Sequence, residues 1–174
     1  MRAGLSGRAG IQPARADKVS PGRAAANDGS TLAPLTQPLR HRMRVRYSEC
    51  DLQGVVFNAH YLAYADDAMT ELWRAAVDGG YQAMVAGGVD MVVAEAQLRF
   101  LAPARFDDEL VVEASVTRLG NTGMTTLLRM FRDSDLLVEV QLRHVFVDAG
   151  GAGKLPIPDP VRRALAPYLA GEAA

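Results

Sequence analysis

The run Tyr47-Ser48-Glu49-Cys50-Asp51-Leu52-Gln53-Gly54-Val55-Val56-Phe57-Asn58-Ala59-His60-Tyr61-Leu62 contains a change of period, and that change decides the fold. Leading into it, Met43, Val45 and Tyr47 alternate against Arg42, Arg44 and Arg46, so Leu39 to Glu49 reads as a strand with one wet face. Asp51-Leu52-Gln53-Gly54 reads as a turn, and Asn58 as the N-cap of the next element. From about Ala59 to Val77 the period becomes helical. Tyr61, Leu62, Ala65, Met69, Leu72, Trp73 and Ala76 form one stripe, and Asp66, Asp67, Thr70, Glu71 and Arg74 the other. Gly79-Gly80 ends this long amphipathic helix, and a short helical turn is expected over Tyr81 to Val85.

Four strand-like runs follow, separated by turn residues. Val93 to Phe100 and Leu110 to Thr117 alternate in period two. Gly120-Asn121-Thr122-Gly123 leads into Met124 to Arg132, and Asp133-Ser134-Asp135 into Leu136 to Val147. In the last run Val138, Val140, Leu142, His144 and Phe146 share a face. Short connections favour antiparallel hairpins, because a parallel pair needs a long crossover. A short helix is expected between Asp159 and Leu169. One strand, a long helix and four more strands make an α+β fold, with an antiparallel five-stranded sheet against one helix. The opposite face carries Val111, Leu127, Phe131, Val145 and Val147, which points to contact with another subunit.

Composition narrows the function classes. The formal net charge is −1, so there is no basic footprint for nucleic acid. No apolar run approaches the roughly 20 residues of a membrane-spanning helix. A single cysteine, Cys50, excludes an internal disulfide and a multi-cysteine metal site, and the three histidines are scattered. The expected setting is cytoplasmic. Residues 1–38, rich in Ala, Gly, Arg, Pro and Ser, read as a disordered extension, with 39–170 as the folded domain. A transit peptide and a mis-assigned start are the other readings of that extension.

The strand-to-helix junction is where chemistry is expected. A helix start presents unpaired N–H groups that suit an oxyanion. Asp51, just upstream, has the chemistry to activate water or to attack a carbonyl itself. Gly54 allows the loop to approach a ligand closely.

The quoted run resembles the opening motif of the 4-hydroxybenzoyl-CoA thioesterase family. Phe100 to Leu110 and the tail His144-Val145-Phe146-Val147-Asp148 with Lys154 to Pro158 resemble its later hairpin and final strand. The resemblance covers about residues 39–165. It implies a hotdog fold, with the sheet wrapped around a central helix, and an acyl-CoA thioesterase needing no metal and no cofactor, coenzyme A being part of the substrate. It further implies that Asp51 is the catalytic carboxylate, that the Tyr61 backbone N–H polarises the thioester carbonyl, and that Gly54, Val55, Asn58 and His60 contact substrate. The expected assembly is a homodimer or homotetramer with sites at subunit interfaces. In the Tol-Pal-associated branch a histidine commonly stands where this chain has Asn58; here a histidine comes two positions later, at His60.

Two other readings are an acyl-carrier-protein thioesterase, docked through Arg42, Arg44 and Arg46, and a hotdog module that binds acyl thioesters without turnover. Cys50 with His60 lacks a third orienting group for a cysteine hydrolase. Glu95 reads as a solvated strand residue, Trp73 and Met69 as core. Arg105, Arg118 and Lys154 are candidates for coenzyme A phosphates but read first as surface charges.

Overall fold

The computed structural model describes residues 37–170. The expected disordered extension therefore lies outside the described residues, save for Gln37 and Pro38. Strand β1 (Leu39–Arg44) is followed by a 3-10 turn at Tyr47–Glu49 and by helix α1 (His60–Ala76). Then come α2 (Gly80–Ala86), β2 (Val89–Phe100), β3 (Glu109–Leu119), β4 (Gly123–Arg132), β5 (Asp135–Asp148) and α3 (Asp159–Leu165), closed by a 3-10 turn at Ala166–Tyr168.

The five strands form one antiparallel sheet in the order β1-β3-β4-β5-β2, with α1 against one face. This is the α+β hotdog architecture that the sequence implied. Alternation does most of the work. On β3, Leu110, Val112, Ala114 and Val116 are buried; on β5, Val138, Val140, Leu142, His144 and Phe146 are. The facing helix is built to sit close. Ala65 and Ala68 are fully buried and let its backbone approach the sheet, while Leu72 and Trp73 fill the space beyond them. Burying a side chain such as Leu72 contributes about 1.5–3 kcal/mol. Trp73 meets Phe146 of β5 edge to face, ring centroids 6.3 Å apart. The residues of the other face, Val111, Leu127, Phe131, Val145 and Val147, are half-buried.

Four expectations change. The first strand stops at Arg44, and Tyr47 is 81% exposed, because the chain turns away into the 3-10 segment. Asn58 does not cap α1; the cap position is Ala59, in a helical conformation with no side-chain cap bond. Leu62 is exposed, and the buried stripe runs instead through Tyr61, Tyr64 and Ala65. Strand β2 starts at Val89, four residues earlier than the alternation suggested, with a bulge between Val93 and Glu95.

Candidate active site

The segment between the first 3-10 turn and α1 is held almost entirely by its own backbone. The Asp51 N–H donates to the Val55 carbonyl at 2.9 Å, and the Gly54 N–H donates to the Asp51 carbonyl at 2.9 Å. The Gln53 N–H donates to Asp51 Oδ1 at 2.8 Å, so the carboxylate closes the turn with one oxygen. Gly54 has φ +72° and open space where a Cβ would stand, so the need there is for left-handed backbone. The Phe57 N–H donates to the Glu49 carbonyl and the Val56 N–H to the Ala104 carbonyl, each at 2.9 Å, which brings the chain back to α1.

A side-chain latch joins this segment to the helix. Glu49 Oε2 accepts from the Arg46 N–H and from the Tyr64 hydroxyl, each at 2.7 Å. Burial, then the bond to Glu49, holds the Tyr64 hydroxyl well above the usual phenol range. Tyr61, also buried, accepts at its hydroxyl from the Ala104 N–H at 2.9 Å and packs edge to face on Tyr64 and Phe100. Burial is also the main cause that raises the pKa of Tyr61.

The Tyr61 backbone is the second residue of α1. Its N–H is one of the first four, which have no acceptor within the helix. Ala59 supplies no side-chain cap; the first donor, the His60 N–H, turns back to the Phe57 carbonyl at 2.9 Å, and the Tyr61 N–H follows it.

The predicted residues divide between two concavities. Asp51 and Gly54 line one of about 690 Å³ with Tyr47, Cys50, Leu52 and Phe106. Asn58 and Tyr61 line a smaller one of about 270 Å³ with Val56 and Phe100 to Pro103. Val55 and His60 line neither: Val55 is bridged to Arg105, and the His60 ring stands edge to face with Phe57 at 6.3 Å. Glu95 is exposed and bonded to Arg143 and Gln97, which lowers its pKa. Sequence reasoning missed Glu49 and Tyr64; the only hint was Tyr64 lying one helical turn after Tyr61. Among the described residues no group of three or more His, Cys, Asp or Glu is placed to hold a metal ion, and no helix is long and apolar enough to cross a membrane.

Residues 53–139 match the thioesterase superfamily. The acyl-CoA thioester hydrolase YbgC of Escherichia coli O6:H1 is 33% identical over 114 residues, covering 65% of this chain and 84% of that protein. The 1,4-dihydroxy-2-naphthoyl-CoA hydrolase of Thermosynechococcus vestitus is 29% identical over 127 residues, covering 71% and 86%. The crystal structure of a hypothetical protein from Thermus thermophilus superposes with a TM-score of 0.68 at 32% identity, covering 74% of this chain and 98% of that one.

Proposed function

The chain belongs to the thioesterase superfamily, and on that premise we propose that it hydrolyses an acyl-CoA thioester to the free acid and coenzyme A. The observation that carries this reading is Asp51, half-buried and fixed by a backbone-bonded turn just upstream of an uncapped helix start. In the proposed reaction the Tyr61 N–H polarises the thioester carbonyl and stabilises the oxyanion. Asp51 either deprotonates the attacking water or adds to the carbonyl and is released by water; both routes expel the thiolate of coenzyme A. Gly54, Val55, Asn58 and His60 are proposed to contact the substrate around these two groups. The route calls for no metal and no cofactor, and its setting is the cytoplasm, where subcellular fractionation is the test. The acyl-CoA thioester hydrolase for which the YbgC relative is named supports the same substrate class.

A carrier-protein substrate is the second reading. Arg42, Arg44 and Arg46 are exposed as such docking requires, but Arg44 is engaged by Asp107 and Glu109. That favours coenzyme A.

A panel of acyl-CoA esters, with released thiol as the readout, tests the reading. Asp51→Asn is expected to lower kcat by at least about 100-fold, the scale of losing one transition-state contact. Wild-type protein that binds acyl-CoA but turns none over faster than this variant would make it a binding module instead.

The reading extends to a homodimer or homotetramer in which a second copy completes the substrate site. Strand β2 is a sheet edge, and Val92, Val93 and Phe100 are 48%, 53% and 52% exposed. Such an edge invites pairing. Sedimentation should find no monomer at micromolar concentration, and Val92→Lys should produce one.

A further inference from the structure

Tyr47 and Phe106 are 81% and 57% exposed, yet their rings are set edge to face, centroids 6.0 Å apart and planes at 87°. Scattered exposed apolar residues need no explanation, but these two line the concavity of Asp51 together with the fully exposed Leu52. Phe106 also lines a second concavity, of about 680 Å³, between β1 and the first part of α1. The two concavities therefore meet at that ring. On the second wall three carboxylates are engaged: Asp107 by Arg44, Asp67 by His41 and Glu49 by Tyr64. Arg42 and Arg46, exposed on the same wall, have no carboxylate partner among the described residues.

These groups together define the chemistry that fits. A flat heterocycle laid on the face of one ring presents its edge to the face of the other, so two perpendicular rings make a corner for a base. Two guanidiniums beyond that corner fit the oxygens of a phosphate. A bare acyl chain would use the rings and leave the arginines idle, and an acidic peptide would do the reverse. A phosphorylated nucleoside uses both. Coenzyme A ends in one, an adenosine with a 5′-diphosphate and a 3′-phosphate. Its 5′-diphosphate lies on the thioester side of the adenosine. With the thioester at Asp51 and the base at the rings, the group that reaches on to Arg42 and Arg46 is the 3′-phosphate.

We propose, resting on the acyl-CoA reading, that Tyr47 and Phe106 hold the adenine of coenzyme A and that Arg42 and Arg46 hold its 3′-phosphate. The four residues then select the carrier, because the phosphopantetheine arm of a carrier protein has no adenosine. Arg105, Arg118 and Lys154, the candidates for coenzyme A phosphates in the sequence, line neither concavity.

The full chain is assayed on one acyl group carried by coenzyme A, by dephospho-coenzyme A, which lacks the 3′-phosphate, and by pantetheine, which lacks the nucleotide. The ratio kcat/KM should fall in that order, by about tenfold at each step, the scale of one stacked base or of charge-assisted bonds to one phosphate. Tyr47→Ala should close most of the gap between the dephospho-coenzyme A and pantetheine esters. Arg42→Ala and Arg46→Ala, made together, should close most of the gap between the coenzyme A and dephospho-coenzyme A esters. All three side chains are exposed, so these variants keep the fold. Equal values on the three carriers, or gaps that the variants leave as they are, overturn the proposal. A carrier-protein ester that outperforms the coenzyme A ester, with the margin lost in the arginine variant, gives the surface to a carrier protein and overturns it as well. So does a dimer that Tyr47→Ala dissociates, which gives the corner to a second copy. Calorimetry with adenosine 3′,5′-bisphosphate and with AMP needs no turnover. The bisphosphate should bind about tenfold more tightly, and the arginine variant should lose that preference. Absence of all hydrolysis with the preference intact would sink the thioesterase reading and leave the nucleotide site standing; hydrolysis without the preference would sink the site alone.

Discussion

The two halves of α1 treat their polar groups in opposite ways. At its start, the side chains are satisfied: Glu49 holds Tyr64, and the Tyr61 hydroxyl accepts from Ala104. What is left open there is backbone, the N–H groups that follow His60, whose own N–H donates to the Phe57 carbonyl. In the second half two buried ring nitrogens, Trp73 Nε1 and, across on β5, His144 Nδ1, are without partners instead. The difference separates two kinds of open donor. A helix start offers open amides in any protein, so the Tyr61 N–H gains meaning only from the Asp51 loop in front of it. An indole and an imidazole left unpaired in the interior are costly wherever they occur.

The comparison breaks first, and most severely, at the latch. Tyr64→Phe removes the hydroxyl that ties Glu49 to α1 and leaves a half-buried carboxylate one partner short. The expected loss is about 1–2 kcal/mol of stability. A fall of about tenfold in kcat is also expected, with KM little changed, because misplacement of the Asp51 loop acts on the reacting geometry. Tyr64 would then be a positioning residue, since it is joined to the loop through Glu49. Glu49→Gln, whose amide oxygen still accepts, should recover most of the rate. Denaturant titration with steady-state kinetics checks both. A Tyr64→Phe protein with wild-type kcat would show that the backbone bonds of the turn suffice.

Legibility in the sequence followed the same line between local and non-local causes. Strands β3, β4 and β5 were readable because one face of each meets α1, and burial there tracks the alternation residue by residue. Strand β2 was readable only over its second part, because most of the strand is exposed in the protomer, with Val89, Met91 and Leu98 half-buried against the core. The first strand was read five residues too far, to Glu49: Tyr47 continues the period, but the Arg46–Glu49 contact has already turned the chain. Asp51 and Gly54 were legible because a turn with left-handed backbone carries its own signature. The latch was not, because Glu49 and Tyr64 lie 15 residues apart and only folding brings them together. Trp73 and His144 read as ordinary core residues, and they are core; that their nitrogens lack partners is set by the folded packing around them.

A smaller effect would sharpen the comparison at its second half. The charged group acting on His144 is Asp66 of α1, while its neighbours across the sheet, Val93 of β2 and Met124 of β4, are apolar. Burial lowers the pKa of the ring and Asp66 partly opposes it, so the folded value lies below the ordinary one. Unfolded, His144 takes up its proton near pH 6.5. Above that pH both states are neutral at this site and the folded state keeps its full advantage. As pH falls below about 6.5, the unfolded chain binds a proton that the folded chain refuses, and stability drops until the folded pKa is reached. Thermal unfolding followed from pH 8 to pH 5 should therefore show a steeper acid-side decline in the wild type than in His144→Leu, which has no such proton to bind. Parallel curves would mean that the ring reaches water in the folded state, and its nitrogen would then no longer be an interior orphan.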